Sequence, residues 1–183
     1  WLGSVNSDAN DYIVFANNAI TGAQTLAAGT DYNAWPVGKL DAAITPRTKW
    51  VMLNSPSNPS GAAYSATELK ALGEVLLRHP HVLVMTDDMY EHVWYAPTPF
   101  ATIAQVCPDL YDRTLTVNGC SKAFSMTGWR SGYLYAPAAV LEQALKVHDS
   151  FVLCAPTPSQ YAALIALTKK PNDDPEGLHA EMG

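Results

Sequence analysis

From about residue 40 onward, apolar residues fall into short unbroken runs separated by stretches of helical spacing. Lys49–Asn54, His81–Thr86, Thr114–Asn118 and Gly132–Ala136 each read as a buried strand bounded by turn-forming residues. Between the first two, Ser65 is followed three positions later by Glu68, the signature of a capping box, which predicts a helix to about Arg78. Pro137 predicts a helix opening at its first position and running to about Val152; Pro158 opens another to about Thr168. Ahead of these, a short helix is expected over Lys39–Ile44, closed by Pro46. Asp11–Ala16 has the composition of a strand, whereas Asn17–Asn33 shows no clear period.

Continuous apolar strands alternating with helices indicate an α/β fold built on a mostly parallel sheet with helices on both faces. Ligands of such sheets bind beyond the carboxyl ends of the strands. Functional residues are therefore expected just after Asn54, Thr86 and Asn118, and just before Gly132 if the last strand returns antiparallel.

Composition narrows the class. The 183 residues suffice for one medium domain with a real core, nearly half are apolar, and the formal net charge is −6. The acidic balance argues against a nucleic-acid surface, and neither a membrane span nor a polybasic anchor is visible. Cys107, Cys120 and Cys154 form no zinc or disulfide pattern and read as free thiols of a reducing compartment, the cytoplasm. The chain starts at Trp1 without a methionine and is read as a piece of a longer protein. His79 and His81 lack the partners of a metal site, and Arg47, Arg78 and Arg113 read as surface charges.

The expected strand ends carry unusual residues. Ser55-Pro56-Ser57-Asn58-Pro59-Ser60-Gly61 follows the first, Asp87-Asp88-Met89-Tyr90-Glu91 the second, and a run from Gly119 through Ser121, Lys122 and Thr127 to Arg130 the third. An acidic pair after an apolar strand also fits a nucleotide-binding metal site, but no Gly-x-x-x-x-Gly-Lys-(Ser/Thr) accompanies it. Taken in order, Asn-Pro-Ser-Gly, Asp-x-x-Tyr and Ser-Lys-x-Phe-x-Met-Thr-Gly-Trp-Arg-x-Gly-Tyr resemble the class I/II aminotransferases. The resemblance is greatest to their bacterial aspartate-aminotransferase branch. It covers roughly Asp41 to Leu167.

That resemblance implies the large domain of a fold-type I pyridoxal-5'-phosphate transferase, incomplete here, with the small domain absent or nearly so. It implies Lys122 as the lysine that binds the cofactor as an imine and then shuttles protons. Asp87 would hold the pyridine nitrogen protonated, Asn58 and Tyr90 would bond the 3'-oxygen, and Ser121 and Arg130 would bind the phosphate. Trp1 matches the aromatic residue that stacks on the ring, although the stretch between it and Asn58 departs from the family pattern as an insertion would. Asp88 has no matching role and reads as structural. The implied substrates are an amino acid and a 2-oxo acid, and the implied assembly is a homodimer. Two alternatives share the same cofactor cage: another pyridoxal-phosphate reaction such as lyase or decarboxylase chemistry, and a non-enzymatic aminotransferase-like module of a regulator.

Overall fold

The computed structural model describes residues 12–16, 37–58 and 61–168. Its strands are β1 (Tyr12–Ala16), β2 (Thr48–Asn54), β3 (Leu83–Asp87), β4 (Thr114–Gly119) and β5 (Gly132–Tyr135). They form one sheet in the order β1-β2-β3-β4-β5. The first four run parallel, and β5 returns antiparallel to β4. The helices are α1 (Val37–Ala43), α2 (Ala66–Leu77), α3 (Ile103–Val106), α4 (Cys120–Ala123), α5 (Ala138–Phe151) and α6 (Thr157–Thr168), with 3-10 turns at Pro108–Arg113 and Thr127–Trp129.

A mostly parallel sheet with flanking helices is thus what the pattern implied. Successive parallel strands with crossovers of one hand carry their connecting helices on one face. Alternate residues Val51 and Leu53 of β2 and Val84 of β3 accordingly join Leu40 of α1, Leu69, Leu72, Val75 and Leu76 of α2, Ile103 of α3 and Leu110 in one core. Each fully buried leucine there contributes roughly 1.5–3 kcal/mol. On the opposite face, Trp50, Met52, Leu83 and Met85 are only half-buried. A smaller cluster of Cys120, Met126 and Ala163, with Phe124 and Tyr133 against it, joins α4, β5 and α6.

Local chemistry sets the element ends. The Ser65 hydroxyl accepts from the Glu68 N–H, and the Glu68 carboxylate accepts from the Ser65 N–H at 2.8 Å, so the capping box forms. Pro137 lies one position outside α5 rather than at its first residue. Its backbone is extended, and its carbonyl accepts from the N–H groups of Val140 and Leu141. β3 begins at Leu83, two residues later than expected, because Val82 N–H donates to the His79 carbonyl and closes a turn around Pro80.

Arg113 is not a surface charge. Its guanidinium donates to the carbonyls of Val82 at 2.6 Å, Leu76 at 2.7 Å and His79 at 3.0 Å. It adds a bond to the Leu76 and His79 carbonyls, which also accept from the N–H groups of His79 and Val82, and ties them to the Val82 carbonyl. His79 pairs with Asp41 at 2.9 Å, and Arg78 bonds the other oxygen of the same carboxylate.

Candidate active site

Because β2, β3 and β4 are parallel, their carboxyl ends share one edge. Asn54 stands opposite Asp87, and Asp87 opposite Val117. Everything that follows these three strands is therefore delivered to the same side of the sheet.

Alternation along β3 turns Asp87 to the half-buried face and Asp88 toward the core. The Met89 N–H donates to an Asp87 carboxylate oxygen at 3.2 Å. Burial pushes the Asp87 carboxyl above its ordinary range, and the Met89 bond draws it back. A cationic N–H placed against such an acid favours its ionised form. The Asp88 carboxyl accepts from the Thr86 hydroxyl at 2.6 Å. Burial raises its pKa, the Thr86 and Thr102 hydroxyls lower it, and the charges of Glu91 and Asp87 raise it further.

After Asp88 the chain turns, with Glu91 N–H donating to the Asp88 carbonyl and Val93 N–H to the Tyr90 carbonyl. The turn presents the Tyr90 phenol to the loop after β2, where the Asn58 side-chain amide donates to it at 3.0 Å. That loop is folded on itself, since Gly61 N–H donates to the Ser57 carbonyl and Ser57 N–H to the Ala62 carbonyl. A second bridge joins the two strand ends. The Asn54 amide nitrogen donates to the Asp87 carbonyl at 3.3 Å, and its amide oxygen accepts from the Asn58 N–H at 3.0 Å. Sequence reasoning did not single out Asn54, although it closes the first of the strands whose ends were expected to carry function.

Lys122 lies in the single turn of α4, not in a loop, because Phe124 N–H reaches back to the Cys120 carbonyl. Cys120 and Ala123 are buried and fix that turn. The half-buried Lys122 amine stands 5.5 Å from the centroid of the Tyr90 ring, a cation–π distance. The backbone beneath is unusually close. A Cβ on Gly119 would lie 3.0 Å from the Gly132 Cα and from the Ser131 carbonyl oxygen, so glycine is required where β4 and β5 pair. Ser121 sits half-buried beside Lys122. Arg130 closes the segment in a left-handed conformation with φ 51°, exposed, its guanidinium donating to the Thr127 carbonyl at 3.2 Å. Ser125 also has positive φ, at 52°. Non-glycine residues in this region store strain, which concentrates at functional sites.

Asn58, Asp87, Tyr90 and Lys122 are therefore brought together from three strand ends, with Ser121 and Arg130 on the Lys122 segment. Trp1 lies outside the described residues. His92 packs near this segment, its ring centroid 6.4 Å from that of Phe124, and its Nε2 stands 3.1 Å from a Glu91 oxygen.

Comparison with known proteins places the fold in a family. The pattern of the family described as aminotransferase class I and II matches residues 31–181. An aspartate aminotransferase of Rhizobium meliloti is 56% identical over 129 residues, which are 70% of this chain and 32% of that protein. An aspartate/prephenate aminotransferase of Cereibacter sphaeroides is 54% identical over 146 residues, 79% of this chain and 36% of that protein. Among solved structures, the Rhizobium meliloti aspartate aminotransferase superposes with a TM-score of 0.80 at 43% identity, covering 89% of this chain and 44% of its own. The Thermus thermophilus aspartate aminotransferase with maleate gives a TM-score of 0.68 at 38% identity, covering 75% of this chain and 34% of its own. The chain spans about a third of the length of these curated relatives (32% and 36%). On the family pattern and on these identities, the chain belongs to the class I and II aminotransferases.

Proposed function

We propose that the protein is a pyridoxal-5'-phosphate-dependent aminotransferase that moves an amino group between an amino acid, aspartate foremost, and a 2-oxo acid. Residues 1–183 form part of its cofactor-binding large domain, and the full-length protein acts as a cytoplasmic homodimer. The observation that carries the reading is the convergence of an amine, a phenol–amide pair and a half-buried carboxylate at the carboxyl edge of a parallel sheet.

The donor set fits the cofactor. Asp87 has its pKa raised by burial, with the Met89 N–H as the one group that draws it back, so it suits a protonated ring nitrogen. Asn58 and Tyr90, already bonded to each other, offer donors to a phenolate-type oxygen. Ser121 and Arg130 supply a hydroxyl and a guanidinium fork to a phosphate, and Trp1 supplies an aromatic face. When bound, the cofactor supplies the electron sink that stabilises charge at the substrate α-carbon.

The rest is done by the chain. Lys122 Nζ would anchor the cofactor, and once displaced by substrate the same nitrogen would serve as the proton shuttle at the substrate α-carbon. The face of Tyr90 lies beside the Lys122 amine, 5.5 Å from it, and confines the side chain to the site. Asp87 keeps its proton partner charged throughout.

The test is made on the full-length protein. Borohydride should fix the chromophore to one peptide, the one containing Lys122. Lys122→Ala should lower the rate of glutamate formation from aspartate and 2-oxoglutarate by at least ~100-fold, the scale of a lost general acid–base group. Fixation to another peptide, or no glutamate from that pair, overturns the assignment of the lysine or of the substrate respectively.

A further inference from the structure

One polar side chain outside the proposed roles, that of Asn54, touches two of the groups that carry them. Asn54 is the last residue of β2, half-buried, opposite Asp87 in the parallel register. There the strand ladder ends. The Asn54 side chain extends it, donating from its amide nitrogen to the Asp87 carbonyl at 3.3 Å. The same amide turns its oxygen to the Asn58 N–H at 3.0 Å. Asn58 in turn donates to Tyr90 at 3.0 Å, and Tyr90 lies three residues beyond Asp87 on the chain. Asn54, Asn58, Tyr90 and Asp87 thus form a closed ring: three hydrogen bonds and the covalent Asp87–Tyr90 turn.

From this geometry we infer that Asn54 is a positioning residue that fixes the distance between the Asp87 carboxylate and the Asn58–Tyr90 pair. The inference rests on the cofactor reading above, in which these two groups would bind two different atoms of one planar ring. The demand is for a donor and an acceptor on one short, planar side chain. Aspartate keeps the acceptor toward Asn58 but turns an oxygen to the Asp87 carbonyl. Alanine keeps neither. Glutamine carries both groups one methylene too far. With Asn54 removed, Asn58 is still tied to Tyr90, but the pair is free to drift relative to Asp87.

The experiment uses the full-length protein loaded with pyridoxal phosphate, comparing wild type, Asn54→Ala, Asn54→Asp, Asn58→Ala and the double variant Asn54→Ala/Asn58→Ala. The readouts are the pH midpoint of the bound chromophore's absorbance, the cofactor dissociation constant, and kcat and KM separately. Asn54→Ala should raise the absorbance midpoint and weaken cofactor binding by roughly tenfold, the scale of one or two lost hydrogen bonds. The shift should be much smaller when Asn58 is already alanine, because Asn54 acts through it. Asn54→Asp should fall between wild type and Asn54→Ala in the midpoint, having kept the Asn58 bond. If Asn54→Ala does not fold, the aspartate variant carries the same readouts. An unshifted midpoint in a folded variant, or shifts that simply add in the double variant, overturns the positioning role. A wild-type protein that shows no bound chromophore fails the cofactor reading instead, which separates the two.

Discussion

Asp87 and Asp88 are neighbours in the chain with opposite surroundings, because strand alternation sends one toward the site and the other into the core. A carboxyl whose pKa is raised by folding holds its proton more tightly in the native state. The stability it contributes is complete below the ordinary value near 3.8 and is lost as pH climbs through the raised value. Asn at position 88 keeps an acceptor for Thr86 and removes the buried charge. Asp88→Asn is therefore expected to match or exceed wild type in melting temperature at pH 7, with the advantage shrinking toward pH 4. A variant less stable than wild type at pH 7 would show that the carboxylate charge itself stabilises the fold. At this scale, the residues that the sequence revealed were those with a fixed spacing: Lys122 and Arg130 on one segment, Asn58 and Tyr90 each just past a strand. Arg113 was illegible because its partners lie 31 to 37 positions away, and so was the bond from Asn54 to Asp87, 33 positions on, since no local pattern encodes such contacts.

Between elements, α2 packs closely on the end of α3. A Cβ on Gly73 would fall 2.2 Å from the Cys107 sulfur. Gly73→Ala should lower stability by about 1–3 kcal/mol through overpacking, measured by denaturant titration. Cys107→Ala should recover much of that loss in the double variant, since it removes the sulfur that the new methyl meets. The end of α2 makes a second case. Arg113→Ala removes the guanidinium that binds three carbonyls and should cost about 1.5–3 kcal/mol, the scale for bonds to a charged group. Arg113→Lys should not restore it, because one ammonium cannot span the same fork, and faster amide exchange around residues 79–82 would report the loss locally. Helix α2 was legible because its capping box is a local code. The turn of α4 was not, because four residues give no period.

At the scale of the molecule, one sheet face is only half-buried among the described residues, and two helices expose apolar side chains. Helix α5 has no buried residue among those described, and Phe151, Val152, Leu153, Tyr161, Leu164 and Ile165 are exposed. Apolar patches of this extent mark surfaces that pack against something else. The 183-residue chain alone should therefore bind an apolar dye strongly and cofactor poorly, and the full-length protein should do the reverse. Weak dye binding with stoichiometric cofactor binding by the short chain would contradict this. The parallel order of the sheet was readable from unbroken apolar strands. The partial burial of its second face among the described residues was not, because an apolar run reads the same whether or not a full layer covers it. The reversal of β5 has a consequence for how such proteins can be recombined. Both ends of segment 120–131 are pinned at the Gly119–Gly132 pair, so Lys122 and Arg130 travel as a cassette. In chimaeras between relatives, that segment should exchange as a block, whereas a junction inside it would join an amine from one parent to a guanidinium shaped by another.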